Sequence, residues 1–219
     1  MAAPRKSKES ARIAEIFDRF AAATADPRTE LRYASPYTLL VAVVLSAQAT
    51  DVSVNKATAR LYEAADTPAA MLALGEDGLI PFIAQIGLFR TKARNVIALS
   101  RILIEQHGGE TPLDRAALQA LPGVGRKTAS VVLNELGVEA AIAVDTHVFR
   151  VAHRLRLSKG KTPDQVETDL MRVVPEERRT RAHHWLILHG RYVCVARAPK
   201  CAACLVSDLC PSRSLFPGV

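Results

Sequence analysis

Three groups of residues in this 219-residue chain are of types that do chemistry. Residues 121–130 read LPGVGRKTAS, with two glycines one residue apart and then Arg126, Lys127 and Thr128 in a row. Residues 144–155 read VDTHVFRVAHRL and place Asp145 just before an amphipathic run. Cys194, Cys201, Cys204 and Cys210 are the only cysteines and form C-x6-C-x2-C-x5-C. A lysine amine can act as a nucleophile, a carboxylate can steady a developing cation, and thiolates bind metals.

The glycine segment does not fit a nucleotide loop. A P-loop needs a glycine five residues before Gly125 and a lysine directly after it; neither is present. A dinucleotide fingerprint needs a third glycine where Thr128 stands and a strand in front, whereas DRAALQAL is helical in pattern. What remains is helix, tight turn, helix. Leu118 and Leu121 close the first helix, Pro122 breaks it, and Ala129, Val132, Leu133 and Leu136 give the second a buried face. Gly123 and Gly125 are expected to allow backbone angles and close approaches that a side chain would block. The N–H groups and dipole of the second helix start, with Arg126 beside them, suit one DNA backbone phosphate, held without reading sequence. A purely structural αα-hairpin has the same pattern.

Lys127 falls in the first turn of that second helix. The dipole there disfavours its ammonium form, and partial desolvation would lower its pKa further. Such a lysine can form a Schiff base with a sugar aldehyde carbon; adding charge against phosphate is the alternative. The helix carries the chain roughly 15 Å away. Residues 137–144 then span up to roughly 26 Å, so Asp145 can return to the level of Lys127. A carboxylate there can stabilise an oxocarbenium ion or assist proton transfer, or it can be a plain N-cap.

Structural zinc sites more often use two separated CxxC or CxxH pairs, and only Cys201 and Cys204 make a close pair here. Four thiolates so tightly grouped favour an iron–sulfur cluster. Arg191, Arg197 and Lys200 in and before this segment can grip a second phosphate or form a solvated basic face. His183, His184 and His189 lack HExxH spacing and read as packing or surface groups; Trp185 reads as core.

The elements that must position these groups are helices. Ile13, Ile16, Phe17 and Phe20 share one helical face. Ser35-Pro36 and Thr67-Pro68 are cap-proline starts, and Asp51, Thr91 and Asp114 are further start signals. Gly75 is expected to end a short helix, and Gly108-Gly109 another. Thr162 to Gln165 reads as a capping box, and a last helix covers roughly residues 177–193. The best strand candidate is residues 140–144, too little for a sheet. The fold class is therefore all-α, about ten helices, with a mobile tail over residues 1 to about 8.

The formal charge of +7 favours a polyanionic partner. The N-terminus lacks a secretory pattern, and no apolar run approaches the roughly 18 residues a membrane span needs. A soluble cytoplasmic protein with reduced cysteines is the expectation, nucleoid-associated if bacterial.

The segments LSAQATDVSVNKAT, LPGVGRKTA, AVDTHVFRV and HHWLILHGRY, with the cysteine pattern, resemble the endonuclease III family of helix-hairpin-helix DNA glycosylases. The resemblance runs from about Ile13 to Cys210. It implies a two-domain fold: residues 29–139 as a six-helix domain, and residues 1–28 with 140–219 as a domain holding a 4Fe-4S cluster on the four cysteines. It implies that damaged double-stranded DNA lies across the cleft, with no nucleotide cofactor and a monomeric enzyme. Lys127 would be the nucleophile and Asp145 the essential carboxylate. Gln48 would enter the gap left by the flipped base and Leu88 would wedge into the opposite strand; without the resemblance they read as a helix-end polar residue and a core leucine. The substrates would be oxidised or ring-saturated pyrimidines, with β-elimination cutting the strand on the 3′ side. Gln119, where several relatives carry an acidic residue, and a shortened loop at 137–139 depart from the pattern. The related adenine mismatch glycosylases lack a lysine where Lys127 stands and carry an extra C-terminal domain. A non-catalytic DNA-binding iron–sulfur protein would have no use for a Lys127–Asp145 pair, and an electron-transfer protein none for the DNA-facing elements.

Overall fold

Side-chain caps decide where most of the helices begin. The structure is a computed structural model that describes residues 7–216. Ten α-helices run in order: α1 Lys8–Ala23, α2 Pro36–Ser46, α3 Asp51–Ala64, α4 Pro68–Ile83, α5 Phe89–His107, α6 Arg115–Gln119, α7 Arg126–Glu135, α8 Thr146–Arg154, α9 Pro163–Val173 and α10 Arg179–Tyr192. Ser7, Ser35, Thr50, Thr67, Asp114, Asp145 and Thr162 each accept a backbone N–H of the first turn that follows. Such a bond satisfies one of the orphan donors at a helix start. Pro36, Pro68 and Pro163 occupy the first helical position, where the missing N–H costs nothing.

Several local expectations shift. Thr50 caps α3, and Asp51 is its first residue. Gly75 does end a short helix as expected: at φ 69° and ψ 175° it leaves the helical region and divides α4 into two helical pieces. Helix α5 begins at Phe89, ahead of the Thr91 start signal. Gln165 Oε1 accepts from the Lys161 N–H, so the reciprocal half of the expected capping box is absent. A 3₁₀ turn, Glu176–Arg178, precedes α10. Residues 140–144 form no strand, and no strand occurs among the described residues. Of the expected N-terminal tail, residues 1–6 lie outside the described residues, while Ser7 and Lys8 open α1.

The chain divides into two compact units, Thr29–Glu139 and the pair Met1–Arg28 with Ala140–Val219. In the first, α2 is buried on every side from Tyr37 to Leu45, which its unbroken apolar run permits. Leu61 of α3, Met71 of α4, Leu99 of α5 and Val132 of α7 close around it.

In the second unit, Ile16 and Phe17 of α1 pack with Val151 of α8, Leu170 of α9 and Trp185 of α10. Trp185 is core, and its Nε1–H donates to the Thr24 carbonyl at 2.8 Å. Helix α1 is also tied to the chain's far end. Arg12 donates to the Leu209 carbonyl at 2.9 Å, and Arg19 donates to Asp208 at 2.6 Å and to the Leu205 carbonyl at 3.1 Å. No helix among the described residues is long and apolar enough to cross a membrane.

Candidate active site and cysteine centre

Three helices among the described residues start without a side-chain cap: α5, α7 and α10. Helix α7 starts on Gly125, and the turn before it is set from inside by buried Leu121 and Val124, whose N–H reaches the Leu121 carbonyl at 3.1 Å. Gly123 is required twice over. Its φ is 79°, and a Cβ there would stand 2.8 Å from Asn95 Nδ2. Gly125 differs from the sequence expectation: its φ is −85°, which any residue adopts, and a Cβ there would meet nothing within 4 Å. The chain itself gives no reason for a glycine at 125. Its bare Cα leaves open space in front of a helix start, where an anion is favoured. Arg126 and Lys127 are both exposed in that first turn. The chain alone therefore does not supply the desolvation considered for the Lys127 amine.

Gln48 and Leu88, which only a resemblance singled out, carry a physical mark of their own. Both have positive φ, 55° and 60°, shared by only one other non-glycine among the described residues, Arg156. Such a backbone costs about 1–3 kcal/mol per residue and tends to be kept at functional positions. Leu88 is 59% exposed, which excludes the core reading, and Gln48 is exposed as well. The two loops adjoin, since a Cβ on Gly87 would lie 3.8 Å from the Gln48 carbonyl oxygen.

Asp145 is half-buried at the start of α8. Its Oδ1 accepts both the His147 and Val148 N–H groups, each at 2.8 Å. No described residue hydrogen-bonds Oδ2, so half of the carboxylate stays available. One turn on, Arg150 donates to the carbonyls of Cys194 at 2.9 Å and Gly190 at 2.7 Å, and its Nη2 lies 3.2 Å from His147 Nδ1. The first turn of α8 is thereby braced against the segment that carries the first cysteine.

All four cysteines are free and half-buried, and they line one cavity with Arg154, His189, Lys200, Arg213 and Phe216. Arg154 Nη1 donates to Cys194 Sγ at 3.4 Å and to the Val195 carbonyl at 2.8 Å, and the guanidinium lies 4.6 Å from the Phe216 ring centre. His189 Nε2 is 3.7 Å from Cys204 Sγ, and burial pushes this histidine down to about 4, leaving it neutral at pH 7. Burial holds the Cys204 and Cys210 thiols above the usual range, and the other cysteines' charges add to the effect. These thiols ionise fully only beside a compensating cation. No three His, Cys, Asp or Glu among the described residues converge as ligands of a single metal ion. Four thiols lining one cavity are a donor set whose chemistry fits a metal centre. Arg197 and Lys200 are exposed on this segment and Arg191 is half-buried before it.

Sequence reading had passed over Lys92, Asn95, Arg150 and Arg154. Lys92 was detectable: with Val96, Leu99 and Leu103 it sits at i, i+4, i+7 and i+11 on the buried stripe of α5. The two arginines were not, since their partners are carbonyls and a sulfur some 40 residues away.

Known proteins match this arrangement along nearly its whole length. Residues 41–176 match the family model described as HhH-GPD superfamily base excision DNA repair protein. The chain is 59% identical over 196 residues to endonuclease III of Escherichia coli (strain K12), covering 90% of this chain and 93% of that one. It is 54% identical over 207 residues to endonuclease III of Treponema pallidum (strain Nichols), covering 94% and 98%. Among solved structures, a trapped endonuclease III–DNA covalent intermediate in an estranged-adenine complex superposes with a TM-score of 0.87 at 43% identity, covering 94% of this chain and 97% of that one.

Proposed function

The chain belongs to the endonuclease III family, within the HhH-GPD superfamily of base excision DNA repair proteins, and from that premise we propose how its residues do the work. The protein is a DNA glycosylase with AP lyase activity. Its substrates are oxidised or ring-saturated pyrimidines in duplex DNA. The damaged nucleotide leaves the stack before reaction, because its anomeric carbon is out of reach inside the duplex. Gln48 fills the gap and Leu88 wedges the opposite strand, and the strained, exposed backbone of both supports this.

Lys127 Nζ attacks C1′. The bond from C1′ to the base breaks, and the base leaves with a proton. The sugar ring opens to give an imine on Lys127. Loss of a C2′ proton then expels the 3′-phosphate, and hydrolysis of the imine frees the lysine and leaves an unsaturated aldehyde. Asp145 spends Oδ1 on its own helix and offers Oδ2 to the cationic sugar. The open start of α7, with Gly123, Gly125 and Arg126, seats one DNA phosphate. Arg191, Arg197 and Lys200 grip another. Cys194, Cys201, Cys204 and Cys210 hold a 4Fe-4S cluster, which when bound crosslinks their loop through four thiolate–iron bonds.

The observation that carries this reading is the start of α7, an uncapped glycine end with an exposed amine in its first turn. Borohydride added during reaction with thymine-glycol duplex should trap a covalent protein–DNA adduct, and Lys127→Ala should form none. An undiminished adduct in that variant removes Lys127 from the chemistry. The purified protein should be brown and hold about four irons per chain; stoichiometric zinc without iron rejects the cluster.

A further inference from the structure

Lys92 is a group the reaction does not use and the core should not tolerate. It is 4% exposed, and its Nζ is buried with no hydrogen-bond partner. Burial holds its pKa below the usual lysine range. It lies in the opening turns of α5, where the helix dipole also disfavours a cation. A buried donor left unsatisfied destabilises a protein by about 1–3 kcal/mol, so its presence calls for an explanation.

Its neighbourhood supplies one. Lys92 and Asn95 stand three residues apart and share a face of α5. Asn95 is the side chain that crowds Gly123, which places this face directly behind the hairpin turn. The Asn95 side chain, like the Lys92 amine, makes no hydrogen bond to any described residue. Two polar side chains with unspent donors thus back the turn whose front, at Gly125, is open. Four residues before Lys92, and bonded to its N–H through a carbonyl at 3.0 Å, stands Leu88.

We propose that Lys92, with Asn95, is a positioning residue for the phosphate-bound hairpin: its amine is held in reserve in the free protein and takes a backbone carbonyl of the 121–125 turn when a DNA phosphate seats at Gly125. The inference rests on the functional reading above and adds to it a group that never touches DNA. Lys92 costs stability in the free state and returns it in the bound state, so its two effects have opposite signs.

That sign pattern is the test. Lys92→Met keeps the length and apolar body of the side chain and removes the amine. Its thermal midpoint should equal or exceed that of the wild type, while its Kd for a duplex with a tetrahydrofuran abasic analogue rises about tenfold. Asn95→Ala should shift Kd the same way by less. In a Gly125→Ala background, where the phosphate seat is already filled, Lys92→Met should weaken binding no further. An unchanged Kd, a lowered thermal midpoint, or an equal loss in both backgrounds overturns the proposal. Failure of the wild type to bind the analogue or to form a borohydride adduct would take down the functional reading itself; normal wild-type behaviour with an indifferent Lys92→Met defeats this inference alone.

Discussion

Helices α7 and α8 begin in opposite ways. Helix α8 closes its own start: Asp145 Oδ1 takes two N–H groups and leaves no place for an outside anion. Helix α7 begins on a glycine with no side chain to close it and open space before it. The same dipole is neutralised from within at one helix and left for a ligand at the other. An acidic cap suits a residue that must stay anionic beside a cationic sugar; a bare cap suits an element that must grip phosphate. The proposed function gives the bare start of α7 the DNA phosphate and the Asp145 carboxylate the cationic sugar.

The comparison breaks most visibly at Asp145. Asparagine can still accept the helix N–H groups, so Asp145→Asn should keep the wild-type melting temperature within a few degrees while base removal slows about 100-fold or more. Asp145→Ala should lose as much activity and also about 1 kcal/mol of stability. Single-turnover kinetics and thermal melts separate the two, and normal turnover by the asparagine variant would reduce Asp145 to a cap.

The hairpin glycines should part company more gently. Gly125→Ala should fold and melt like the wild type, because its Cβ meets nothing, yet bind duplex DNA about tenfold more weakly by filling the phosphate seat. Gly123→Ala should lose about 1 kcal/mol or more of stability through its positive φ and the contact with Asn95. A Gly125→Ala protein with full affinity would show that the open start of α7 holds no phosphate.

What the sequence disclosed depended on range. Ser35-Pro36, Thr67-Pro68 and Asp114 were legible as helix starts because a cap is a contact across three residues. Asp145 was legible as a cap for the same reason, and Lys127 as a first-turn residue because Pro122 and the glycines mark the turn before α7. Gln48 and Leu88 were not legible from residue type, since their strained backbones are imposed by two adjoining loops about 40 residues apart. The early start of α5 has the same origin: Leu88, a left-handed residue with no cap chemistry, opens the helix. Gly125 was misjudged by analogy with Gly123. Two glycines in one turn invite one explanation, and only coordinates show that one serves the fold and the other leaves room in front of it.

The arginine clamps of α1 bear on the order in which this protein can be made. Arg12 and Arg19 find their partners 197 and 189 residues further along the chain. Because Leu205, Asp208 and Leu209 are synthesised long after α1, that helix exists well before the groups that clamp it. The unit formed by Thr29–Glu139 is continuous in sequence and can fold meanwhile. Helix α1 waits through that interval without the α8, α9 and α10 residues that cover Ile16 and Phe17.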